Sequence, residues 1–164
     1  MKTVTLMHGT LSLSLPESFR EMSREEIASL LAPDAQGDGL CLRSDELHAV
    51  VSIGWKELRG AGALLTRVLS GRDLAKNMRV HLEQSMRPFS FTAEDELTRT
   101  VGGECAFGLR YAYRAQETDM TGESLVLRRG DTLCYFHVYY RTQPSEESRR
   151  MWNAVLDSAV WSGR

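Results

Sequence analysis

The residues able to do chemistry are few and scattered. His8, His48, His81 and His137 stand apart, with no H-x-x-x-H, H-E-x-x-H or C-x-x-C spacing that would put two metal ligands on one element. Neither a metal nor a cofactor is therefore expected. Gly60-Ala61-Gly62 and Gly102-Gly103 lack the Lys-Ser/Thr ending of a phosphate loop and the strand-to-helix G-x-G-x-x-G of a dinucleotide site, so they read as turn glycines. No G-x-S-x-G elbow exists. Cys134 and His137, three apart on a predicted strand, point to opposite faces and cannot pair as a dyad there. Glu94, Asp95 and Glu96, with Glu104, are the remaining enzymatic route, since grouped carboxylates do acid and base work or hold a hard cation. At the charged end of a predicted strand they equally suit a solvated edge that discourages strand pairing. The chain reads as non-enzymatic.

One constellation suits recognition. It is the row Tyr135, His137 and Tyr139, flanked by Tyr113 and Ser124. Aromatic side chains with a polar tip bury area and still form hydrogen bonds, which recognition surfaces exploit. The same residues serve equally well as core beneath a helix. These five positions are the candidate partner or ligand surface, on the expectation that part of the row lies in an uncovered concavity.

The elements that position the row are three strands between Cys105 and Tyr140. Arg129-Gly130-Asp131-Thr132 places Gly first of two central residues, as a type II′ hairpin requires. That turn sets Leu133 opposite Arg128, Cys134 opposite Leu127, Tyr135 opposite Val126 and Phe136 opposite Leu125. An earlier turn near Asp119-Met120 would put Tyr113 beside Val126 and Tyr111 beside Arg128. One face then holds Phe107, Leu109, Tyr111, Tyr113, Val126, Tyr135 and Tyr139, and the other Leu125, Leu127, Cys134, Phe136, Val138 and Tyr140. A sheet apolar on both faces needs cover on both, and helices are the expected cover.

The rest of the chain supplies them. Val4 to Met7 and Leu11 to Leu15 read as a hairpin ended by Pro16. Ser23-Arg24-Glu25-Glu26 is a capping box opening a helix with Ile27, Leu30 and Leu31, stopped by Pro33. A loop from Asp34 to Gly39 leads into a second hairpin, Leu40 to Arg43 with Leu47 to Glu57. Ala63 to Met86 is helical, with Leu64, Leu65, Val68 and Leu69, then Leu74, Met78, Leu82 and Met86, on its apolar stripe. Ser70-Gly71-Arg72-Asp73 divides it with another capping box. Phe89 to Val101 reads as an edge strand. After Pro144-Ser145 comes a last helix burying Trp152, Val155, Leu156, Ala159 and Val160. The expectation is a single α+β domain over residues 1–164, with an antiparallel sheet of about six to eight strands covered by helices on both faces, an α/β/α sandwich.

Twenty basic and 22 acidic residues give a net charge of −2 with no basic cluster, which argues against nucleic acid or an acidic membrane as partner. Cys41, Cys105 and Cys134 are an odd, separated set and read as reduced core thiols. Met1 to His8 has no apolar run of secretory length, and no stretch reaches membrane-span length, so a cytoplasmic location is expected.

The layout as a whole resembles a known family. L-S-L-S-L-P-E-S-F before a capped helix, the hairpin ending Ser52-Ile53-Gly54-Trp55-Lys56, the mid-chain helix, the three-stranded ribbon, and a final helix with Met151-Trp152, Val155-Leu156 and Ser158 together resemble the PsbP/Mog-like superfamily. The resemblance spans almost the whole chain. It implies an antiparallel sheet between helices and a mostly non-enzymatic membership: a photosystem II extrinsic subunit, a Ran-binding import factor, DcrB-like lipoproteins and type VI effector chaperones. It carries no shared catalytic motif, so it assigns no functional residue. The resulting expectation is a cytoplasmic protein-binding module, adaptor or chaperone-like, with a protein partner. The alternative is a small-ligand-binding domain or cofactor-free enzyme with its pocket at Tyr135-His137-Tyr139, closed by the Asp34 to Gly39 loop. Homodimerisation through an exposed part of the sheet is a third arrangement.

Overall fold

The computed structural model describes residues 1–28 and 38–163. Its centre is an antiparallel seven-stranded sheet in the order β3-β4-β5-β9-β8-β7-β6. The strands are β3 (Arg20–Glu21), β4 (Asp38–Ser44), β5 (Ala49–Glu57), β6 (Thr92–Val101), β7 (Glu104–Ala115), β8 (Thr118–Arg129) and β9 (Thr132–Arg141). A second sheet joins β1 (Lys2–Leu6), β2 (Leu11–Leu15) and β10 (Val160–Trp161). The described helices are α1 (Arg24–Ala28), α2 (Gly60–Arg67), α3 (Gly71–Met86) and α4 (Glu146–Asp157).

The turn at Gly130-Asp131 is the one the sequence demands. Gly130 has φ 63°, and Tyr135 pairs with Val126 and Phe136 with Leu125 as expected. The preceding turn lies elsewhere. The chain reverses at Gln116-Glu117, both at positive φ (50° and 66°), the signature of a type I′ turn built without glycine or asparagine. Tyr113 consequently pairs with Met120 instead of Val126, and Tyr111 with Gly122 instead of Arg128. Met120 lies six positions before Val126. An even displacement returns every side chain to the same face, so the assignment of faces survives the wrong register.

Both faces are covered. On one, Leu74, Met78, Leu82 and Met86 of α3 pack on Leu109, Tyr111, Tyr113, Val126 and Tyr139. On the other, Trp152, Val155 and Leu156 of α4 and Leu11, Leu13 and Leu15 of β2 pack on Leu125, Leu127, Phe136, Val138 and Tyr140. Cover on that second face is therefore shared between a helix and the small sheet, whose strand β2 alternates buried leucines with half-buried serines. The two capping boxes form as the spacing dictates: Glu26 N–H donates to Ser23 Oγ (3.2 Å), and Asp73 N–H to Ser70 Oγ (3.1 Å).

Other expectations are corrected. Leu64, Leu65 and Val68 are 64%, 67% and 81% exposed, because α2 turns the smaller Ala63 and Thr66 inward. Val160 leaves the last helix for β10 and is exposed. Phe89 belongs to a single 3₁₀ turn, Arg87–Phe89, and the strand begins only at Thr92. Cys105 is exposed and Cys41 half-buried, so Cys134 alone is a core thiol, its pKa pushed up to about 12 by burial. Leu30, Leu31, Pro33 and residues 34–37 of the predicted loop lie outside the described residues, while Asp38 and Gly39 open β4.

Candidate functional site

The row is assembled by sheet register. Ser52, His137, Ser124 and Leu109 are successive partners across β5, β9, β8 and β7, so their side chains share one face. Tyr135, His137 and Tyr139 alternate along β9 on that face, and their rings stack in sequence: centroids lie 6.4 Å apart for the first pair and 6.1 Å for the second, with planes within 1° and 11°. Tyr113 meets Tyr139 edge-on at 6.4 Å, at the opposite end of the row from the place the sequence register gave it.

Gly122 makes this arrangement possible. It lies between Tyr111 and Tyr139 on neighbouring strands, and a Cβ there would sit 2.4 Å from the Tyr111 ring. The bare backbone lets that ring lie across β8 and carry its hydroxyl to Ser124 Oγ at 2.9 Å, while Ser124 Oγ also meets His137 Nδ1 at 2.7 Å. One consistent proton order has Tyr111 donating to Ser124 and Ser124 donating to His137 Nδ1. Burial raises the pKa of Tyr111, Tyr113 and Tyr139 above the ordinary tyrosine value, which keeps these hydroxyls protonated.

A serine in hydrogen-bond contact with a histidine is the geometry from which nucleophiles are made. Here Ser124 is 0% exposed and His137 3%, while Tyr113 and Tyr139 are also buried. Tyr135, half-buried, is the member of the five that reaches the surface. A hydroxyl sealed in this way can order strands against one another, but no substrate can approach it. Four hollows of the molecule, of about 510, 180, 670 and 360 Å³, are lined by other side chains.

A second buried polar cluster was missed by sequence reasoning. Glu123, 1% exposed on the opposite face of β8, accepts from Arg99 (2.8 Å) and from the Tyr140 hydroxyl (3.1 Å), with Arg110 at 3.7 Å. Arg99 also donates to Asn153 of α4 at 2.6 Å, so the cluster ties β6, β7, β8, β9 and α4 together. A carboxylate taken out of water is tolerated only when paired in this way. The polar string Thr121-Gly122-Glu123-Ser124 is the middle of a buried strand. The predicted acidic cluster, by contrast, does not assemble. Glu104 sits opposite Val101 at the far end of β6 and approaches Arg129 at 3.9 Å, while Asp95 pairs with Arg110 at 3.1 Å. Among the described residues, no three histidine, cysteine, aspartate or glutamate side chains gather in a metal-binding group.

What reaches solvent is different in kind. A cleft of about 510 Å³ runs between α3 and the β6-β7 edge, walled by Arg72, Lys76 and Arg79 of α3 and by Glu96 and Thr98 of β6, over a floor that includes Phe107 and Leu109. Gly71 fixes one end of it, since a Cβ there would lie 2.3 Å from the Phe107 ring. A further hollow of about 360 Å³ continues past Arg79 to Arg87 and Phe91. Beyond the start of α3, helix α2 and its C-cap residue present exposed Leu64, Leu65 and Val68.

No protein-family model matches the chain, and its sequence matches no curated protein. Solved structures identify the fold. The chain is similar to the cyanobacterial PsbP (CyanoP) of Synechocystis sp. PCC 6803, with TM-score 0.70 and 11% identity over 98% of this chain and 92% of that one. It is similar to LpqN of Mycobacterium tuberculosis, involved in cell envelope biogenesis, with TM-score 0.63 and 11% identity over 99% and 91%. It is similar also to the Ran-binding protein Mog1p of Saccharomyces cerevisiae, with TM-score 0.54 and 13% identity over 96% and 93%. The fold is therefore PsbP/Mog-like, and at such identities the likeness extends to the fold alone.

Proposed function

We propose that this chain is a non-enzymatic protein-binding domain, adaptor or chaperone-like, acting in the cytoplasm. The observation that carries the reading is the division of labour between inside and outside. The groups with chemical potential, Ser124, His137 and the buried tyrosines, are spent on packing, whereas the surface offers a cation-lined cleft and, on α2, exposed apolar side chains. Contact surface of that mixed character suits recognition. Mog1p, a structural neighbour, is Ran-binding, which supports a protein partner in this fold without naming one here. Three free thiols, one of them exposed, suit a reducing compartment.

Capture from the native cell, with photo-crosslinking residues placed at Leu65 on α2 and Thr98 on β6, tests the reading. A reproducible protein partner crosslinked at either position supports it; failure to recover any reproducible partner from either overturns it. The ligand reading at Tyr135-His137-Tyr139 is the second arrangement, with half-buried Tyr135 as its point of access. Should a small molecule bind this chain, the cleft beside α3 has the volume such sites use.

A further inference from the structure

We propose that the cleft beside α3 is a docking groove for an acidic peptide segment carrying an apolar anchor residue; the proposal rests on the protein-binding reading and specifies its partner. Arg72, Lys76, Arg79, Glu83 and Arg87 recur at helical spacing, so they form one stripe along the flank of α3, and the cavities there open onto that flank. Glu83 is paired with Arg79 at 2.9 Å, and Glu96 lines the opposite wall. Four cations against two carboxylates leave the groove at +2 in a chain whose net charge is −2. Among the described residues, Arg72, Lys76 and Arg87 take part in none of the salt bridges, and all three side chains are exposed. Asp73 faces Lys76 from the preceding turn without forming a salt bridge to it, and cations lined along a concavity with no salt-bridge partner are complementary to a negatively charged guest.

The floor sets the second requirement. Phe107 and Leu109 are apolar, the Phe107 ring lies 5.9 Å from the Arg72 guanidinium, and Gly71 holds the helix end close above it. A purely anionic guest would leave that surface unused, whereas a segment with one aromatic or aliphatic residue among its carboxylates would fill it. From Arg72 to Arg87 the stripe is about 22 Å long at the helical rise, a span that about seven residues of extended peptide cover.

Selection of a random phage-displayed peptide library against the whole chain tests this. The expected result is enrichment of Asp/Glu-rich sequences with an apolar residue. Their affinity should fall at least tenfold in the double variant Arg72→Glu/Lys76→Glu and weaken with added salt, while its thermal midpoint stays within a degree or two of the parent's. No enrichment, enrichment of neutral or basic peptides, acidic peptides indifferent to the charge reversal, or tighter binding of a single-stranded RNA oligonucleotide at the same residues would each overturn it. Native-cell capture reports on the broader reading separately: a partner crosslinked at Leu65 that ignores the reversal sinks the groove and leaves protein binding standing.

Discussion

Replacing Ser124 by Ala removes one oxygen from the core and takes a hydrogen-bond partner from two groups at once, the Tyr111 hydroxyl and His137 Nδ1. Both strand neighbours are buried, so water cannot substitute freely, and a lost partner in that setting costs about 1–3 kcal/mol. At roughly 2–4 °C per kcal/mol for a chain of this size, the thermal midpoint should drop by a few to about ten degrees. Calorimetry on the variant measures this directly, and an unchanged midpoint would mean the contact contributes nothing. The same variant should leave capture of any protein partner unaltered, because the hydroxyl never reaches the surface. Gly122 belongs to the same unit: Gly122→Ala drives a methyl into the Tyr111 ring and displaces the hydroxyl that Ser124 holds.

Among the elements, β6 shows how a sheet edge is kept safe. It is the outermost long strand, exposed at Thr92, Glu94, Asp95, Glu96 and Thr98, and interrupted by a register shift between Ala93 and Asp95. Charge and a bulge on an open edge both discourage a second chain from adding there. Substituting Glu94→Val and Glu96→Val should leave the thermal midpoint nearly untouched and make the protein associate as concentration rises, which light scattering would detect. A monomer at every concentration would show that the bulge suffices. This edge was legible in the sequence because its charges break the apolar alternation, and α3 because Ser70 and Asp73 bracket its start and its leucines and methionines fall four apart. The β7-β8 turn was not. Gln116 and Glu117 adopt positive φ without the residues that usually announce it, so the expected turn falls near Asp119-Met120 instead. Glu123 stayed hidden for the related reason that its partners Arg99, Arg110 and Tyr140 arrive from three other strands, a convergence no local spacing records. The orientation of α2 was hidden too, since a ten-residue run containing Ala63, Leu64, Leu65, Val68 and Leu69 has apolar side chains to offer in several directions.

At the scale of the whole molecule, the tyrosines couple protonation to folding. Tyr111, Tyr113 and Tyr139 lie in the core under α3, and Tyr140 lies in the core under α4 and β2, so both layers around the sheet depend on neutral phenols. Burial raises the pKa of all four in the folded chain, whereas an unfolded tyrosine titrates near 10. A raised folded pKa means that the unfolded chain releases its protons first as pH climbs, so stability is complete below about pH 10 and declines above it. Because the phenols are inaccessible until the layers separate, their ionisation should follow unfolding instead of preceding it. Tyrosinate absorbance from these four side chains and far-ultraviolet circular dichroism, recorded together across alkaline pH, should therefore change in one cooperative step. Smooth ionisation of these four tyrosines around pH 10 in a chain whose dichroism remains native would show that the sheet is open to water, and would remove the basis for treating them as core.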